Sequence, residues 1–153
     1  MKMMNTLFVS VFAVFMAITA MPAFATDVTH STPGISGYDP VSYFTEGKPM
    51  RGSGYHVANH EGVAYAFASQ ENKEMFEANP EKYVPAYGGY CAYGAAVGKK
   101  FVSDPEVWKV VDGTLYLNLD EGIQGKWNED IPGFIKKADD NWKSIKDTPA
   151  SAL

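Results

Sequence analysis

Residues 65–94, YAFASQENKEMFEANPEKYVPAYGGYCAYG, constrain the fold most, because almost every residue there has a local structural meaning. Tyr65 and Phe67 alternate with small residues and read as the end of a strand. Ser69 stands where an N-cap belongs, its hydroxyl able to take up an orphan amide of the first helical turn. Residues 70–78 follow as a helix, with Met75 and Phe76 on its apolar face. Asn79-Pro80 ends it, since the proline ring disfavours helical geometry in the residue before it. Pro80 can itself open a new short turn, where its missing N–H is no loss. The segment closes on Tyr87-Gly88-Gly89-Tyr90-Cys91-Ala92-Tyr93-Gly94, with the single cysteine of the chain between tyrosines.

The flanks supply two hairpins. Upstream, Asp39-Pro40 is a turn or helix opening, with Tyr38, Tyr43 and Phe44 as core or lid aromatics. Residues 45–54 read as an exposed loop, and 55–58 and 63–67 as strands joined about a tight connection at 59–62. Downstream, residues 99–103 read as a strand and Asp104-Pro105 as a turn. Strands at 107–111 and 114–118 flank Asp112-Gly113, the strongest hairpin signal in the chain. Gly122 and Gly125 keep any helix over 120–128 short. Residues 132–146 form a last helix capped near Asp130, where Phe134, Ile135, Ala138, Trp142 and Ile145 keep helical spacing. The expected fold is α+β, one compact domain of small antiparallel hairpins with helices packed on them. It lacks the alternation of a nucleotide-binding parallel sheet.

The ends set the context. Residues 1–25 read as a secretory signal: Lys2, an apolar run over 7–20, and the small-residue site Ala23-Phe24-Ala25. Residues 26–36 form a polar, turn-rich mobile arm, residues 37–146 the domain and 147–153 a tail. The signal holds one of the 13 basic residues and none of the 18 acidic ones, so the exported chain carries net −6. That charge disfavours nucleic acid and anionic membrane as partners. The expected location is periplasmic or secreted, with no stable membrane insertion after cleavage. No internal repeat stands out, and one cysteine cannot form an intrachain disulfide.

Phe67, Ser69, Glu71, Asn72, Phe76, Pro80 and Tyr83, preceded by Tyr38-Asp39-Pro40-Val41, resemble the YHS domain. The closer likeness is to a secreted branch that adds Y-G-G-Y-C-A-Y-G and a D-G-x-L-Y-L-N hairpin. The resemblance spans residues 37–143. It implies a metal-binding module, of a kind found beside copper-transporting ATPases and some oxygenases. The family's cysteines fall in D-P-V-C and F-C-S-x-x-C elements, and those positions here read Ser42, Ala68 and Asn72.

Three readings of Cys91 stand side by side: a buried small hydrophobe, a soft-metal ligand, or a redox or intermolecular thiol. Cys91 with His56 is the candidate metal pair, for copper or another soft ion, the alternative being no metal at all. His56 and His60, four apart on a strand, point the same way at about 13 Å and are not joint ligands there. Tyr87, Tyr90 and Tyr93 are the candidate ligand-binding residues, with plain packing as the alternative. No G-x-S-x-G, H-E-x-x-H, C-x-x-C or phosphate-cradling loop occurs, so the expectation is a non-enzyme. It either binds a metal ion or serves as an accessory module that takes a partner or small molecule on an aromatic face, with monomer and dimer both open.

Overall fold

The computed structural model describes residues 34–153. The expected signal at 1–25 and residues 26–33 of the expected arm lie outside the described residues. Within them, β1 (Ser53–His60) pairs antiparallel with β2 (Val63–Phe67), and β3 (Asp104–Val111) with β4 (Thr114–Asn118), giving two separate two-stranded sheets. Five α-helices pack on them: α1 (Ser42–Thr45), α2 (Gln70–Ala78), α3 (Ala92–Ala96), α4 (Glu121–Asn128) and α5 (Ile131–Ile145). The α+β expectation is met.

Local chemistry explains the boundaries. Ser69 accepts from Asn72 N, Asp120 from Ile123 N and Asp130 from Gly133 N, so each longer helix starts at an oxygen that takes up an orphan amide. Both hairpins turn through two left-handed residues, Glu61-Gly62 (φ 49° and 81°) and Asp112-Gly113 (φ 49° and 79°), the twist that matches paired strands. The first turn is therefore tighter than the 59–62 connection expected, and β1 runs on to His60.

Residues 99–103 differ from the expected strand. Only Val102 pairs there, in an isolated bridge to Tyr90, and Asp104-Pro105 begins β3 instead of forming a turn. Pro105 fits because the β3–β4 register slips between Asp104 and Trp108, and a residue with no N–H is tolerated at such a bulge.

An internal repeat, absent from the sequence reading, emerges in the backbone. A left-handed turn (Gly34–Gly37, then Ala86–Gly89) leads to a bridge (Tyr38 to Arg51, then Tyr90 to Val102) and a short helix, α1 then α3. An eight-residue strand, a two-residue turn and a five-residue strand follow, bulged at the same place in each hairpin. A capped helix closes each unit, Ser69 before α2 and Asp120 before α4. Each element recurs about 51 positions later, a period typical of stacked supersecondary units. Few side chains repeat with it, so no sequence period stands out.

Two apolar cores result. One gathers Tyr43, Tyr65, Phe67, Phe76 and Tyr83, and the other Tyr87, Tyr116, Trp127 and Ala138. Leu115 and Leu117 enter the first core and Tyr116, between them, the second. Alternation along a strand thus makes β4 the wall the two cores share.

Candidate functional site

Asp39 is fully buried and organises the first repeat. Its Oδ1 accepts from Val41 N (2.8 Å) and Ser42 N (3.4 Å), and its Oδ2 from Ala68 N (2.9 Å) and Asn72 Nδ2 (2.6 Å). Four donors compensate a carboxylate that burial alone would penalise heavily. Residues 42, 68 and 72, the positions at which the resemblance would place cysteine, thus converge on one carboxylate. These side chains do not fit a soft metal ion. Ser42 Oγ already donates to Asp39 O and accepts from Met50 N, Ala68 offers no donor atom, and the Asn72 amide is spent on Asp39.

Cys91 occupies the corresponding place at the start of the second repeat's short helix. It is fully buried; its sulfur accepts from Gly94 N (3.4 Å) and its thiol faces Asn118 Oδ1 at 3.6 Å. Asn118 Oδ1 also accepts from Tyr93 N, while Asn118 Nδ2 has no partner among the described residues. His56 lies half-buried on β1, and no hydrogen bond joins it to Cys91. The one set of three potential ligand atoms within 4.8 Å of one another, among the described residues, belongs to His60, Glu61 and Glu81. There His60 Nε2 meets Glu81 Oε1 at 3.1 Å, and the imidazole stands edge-on to Phe76. Spacing along the strand separated His60 from His56, and no local pattern pointed to Glu81, which is distant in the chain.

The three candidate tyrosines all meet α5. Tyr87 is buried, its ring 5.7 Å from Trp142 and its hydroxyl donating to Asp139 Oδ1 at 2.9 Å. Burial first, then the Asp139 bond, push its phenol well above the ordinary tyrosine range. Tyr93 packs on Phe134. Tyr90 faces Trp142 at 6.4 Å and lines a groove of about 470 Å³. Only Tyr90 of the three opens onto it.

That groove runs between Gly34–Ser36 on one side and Gly88–Tyr90 with Trp142 on the other, and residues 146–150 edge it. Lys100 Nζ donates to Lys146 O and Thr148 O, both at 2.7 Å, and lies over the Tyr90 and Trp142 rings. Two left-handed turns border the space. Among the described residues five non-glycines have positive φ; Glu61 and Asp112 sit in hairpin turns, where that is expected. The other three are Ile35 (53°), Ser36 (51°) and Tyr87 (55°), the first two lining the groove and the third preceding its wall at Gly88. A β-branched residue such as Ile35 rarely adopts this conformation. Sequence offered no signal for either Ile35 or Trp142 as a groove residue: Ile35 fell in the expected mobile arm, whereas it is buried against the first core, and Trp142 read as one more apolar position of the last helix.

Residues 41–87 match the YHS domain, a family associated with metal binding. The match runs from α1 through the first hairpin and α2 to Tyr87, so all of the second repeat after its opening turn, and most of the groove, lie outside it. No curated protein and no solved structure matches the chain. No helix among the described residues is long and apolar enough to cross a membrane.

Proposed function

We propose that the chain is a non-catalytic binding domain, exported to the periplasm or beyond, whose groove at Tyr90 and Trp142 receives a small flat molecule. The observation that carries this reading is the strain bordering one space: of the three left-handed non-glycines outside hairpin turns among the described residues, Ile35 and Ser36 line the groove and Tyr87 precedes its wall at Gly88. Such conformations cost of order 1–3 kcal/mol each and cluster where a ligand is clamped. The groove's size lies within the range of small-molecule sites, and two aromatic faces suit a planar guest.

The test uses N-phenyl-1-naphthylamine, an uncharged aromatic fluorophore, on the full mature chain. Saturable binding of one probe per chain, lost in Trp142→Ala and weakened in Tyr90→Ala, is expected. Binding that both variants leave unchanged would refute the reading.

A second reading, favoured by the His60–Glu61–Glu81 set and by the YHS match, is a divalent cation at the first hairpin turn. One imidazole and two carboxylates suit Zn²⁺ better than Cu(I), which prefers thiolate and thioether. Copper in its soft form would depend on Cys91, the sole thiol. Calorimetric titration with Zn²⁺ should show a single site abolished by His60→Ala; heats equal in both proteins would exclude it.

A further inference from the structure

We propose that the ligand of this groove is a flat aromatic anion, its ring set against Tyr90 and Trp142 and its acidic group at Lys146. The inference rests on the groove reading above and adds the charge of the guest. The groove carries two ammonium groups, Lys100 and Lys146, against one carboxylate, Asp147, in a chain whose overall charge is −5. Local charge is therefore opposite in sign to that of the molecule, as at a site that concentrates anions.

The two lysines have different tasks. Lys100 is held by the carbonyls of Lys146 and Thr148 and lies 5.4 Å from the Tyr90 ring centroid and 5.2 Å from that of Trp142. It fixes the end of α5 against the aromatic wall and adds a constant positive field. Lys146, one turn beyond Trp142, is exposed and makes no ion pair among the described residues. Its flexible stem can bring an ammonium to an acidic group lying at the groove's edge. Trp142 and Lys146 are four apart at the end of α5, so one helix face offers an indole and then a cation. A guest with a planar apolar body and a terminal carboxylate or sulfonate matches that order.

A matched pair of probes isolates the charge. 1-Anilinonaphthalene-8-sulfonate and N-phenyl-1-naphthylamine share one ring system and differ by the sulfonate. Titrated into the full mature chain at low salt, the sulfonate should bind about three- to fivefold tighter, the scale of one exposed ion pair. Lys146→Gln should remove that preference and leave the neutral probe unchanged, and high salt should erode it in the wild type. Equal or tighter binding of the neutral probe to the wild type, or a Lys146→Gln loss shared by both probes, overturns the anionic assignment. The groove itself survives that result as long as Trp142→Ala still abolishes neutral-probe binding. If neither probe binds, or Trp142→Ala and Tyr90→Ala leave both untouched, the groove reading falls and this inference with it. Circular dichroism of each variant separates a lost site from a lost fold.

Discussion

At the scale of single residues, Asp39 and Cys91 do parallel work with unlike chemistry. Each sits at the start of a short helix, accepts amide hydrogens from it, and ties it to a distant segment: Asp39 to Ala68 and Asn72, Cys91 to Asn118. Asp39→Asn would turn one acceptor oxygen into a donor facing donors. We expect a loss of about 2–3 kcal/mol, the cost of leaving buried partners unmatched, read as a lower urea midpoint with unchanged slope. A midpoint like the wild type's would mean that the knot adds nothing. Cys91, with no exposed sulfur, should react with a thiol reagent only as fast as the protein opens, so labelling should rise steeply with urea. Labelling of the folded protein at the rate of a free thiol would favour the reactive-thiol reading over burial. Asp39 was legible from sequence as a turn residue, but its carboxylate's contacts to residues 68 and 72 were not, because no local pattern encodes a bond across some thirty positions.

The elements were the most legible level. Caps, proline stops and the Asp112-Gly113 turn act over three or four residues, and α2 begins and ends where Ser69 and Asn79-Pro80 place it. The strand expected at 99–103 failed because a short apolar pair such as Phe101-Val102 makes a strand only where a partner strand lies beside it, and only Val102 found one. Gly113→Ala tests the turn, since an added Cβ would meet no atom within 4 Å and only the left-handed φ of 79° opposes it. A loss of about 1 kcal/mol is expected, measured by thermal unfolding. The tyrosines anchored between elements predict an alkaline limit. Burial pushes the Tyr65 phenol up to about 12, and burial likewise raises Tyr43 and Tyr87, whereas an unfolded tyrosine ionises near about 10. The folded chain therefore holds these protons more tightly. The stability they contribute is complete below about pH 10 and, for Tyr65, is lost as pH rises from there through about 12. Unfolding free energy should fall over that window while absorbance at 295 nm shows a late-titrating fraction; a flat profile would contradict the burial.

On the scale of the molecule, the repeat and the groove stayed hidden in sequence for one reason: both are properties of backbone shape. The second unit keeps the turns, bulge and caps of the first but replaces its side chains, Cys91 for Asp39 among them. The left-handed turns that border the groove then come from equivalent places in the two units. Repetition could in principle give two halves that melt separately. The shared strand argues otherwise, because Leu115 and Leu117 complete one core while Tyr116 belongs to the other. Loss of either core exposes a face of β4, so the units should unfold together. Leu117→Ala, at a fully buried position, should cost about 3 kcal/mol. Its effect can be followed through Trp108, packed on the first core, and Trp127, buried in the second. Single-tryptophan versions should show both probes shifting to the same lower urea midpoint. If Leu117→Ala moved the Trp108 transition and left that of Trp127 in place, the two repeats would be separate folding units, and β4 would be a boundary between them instead of a common wall.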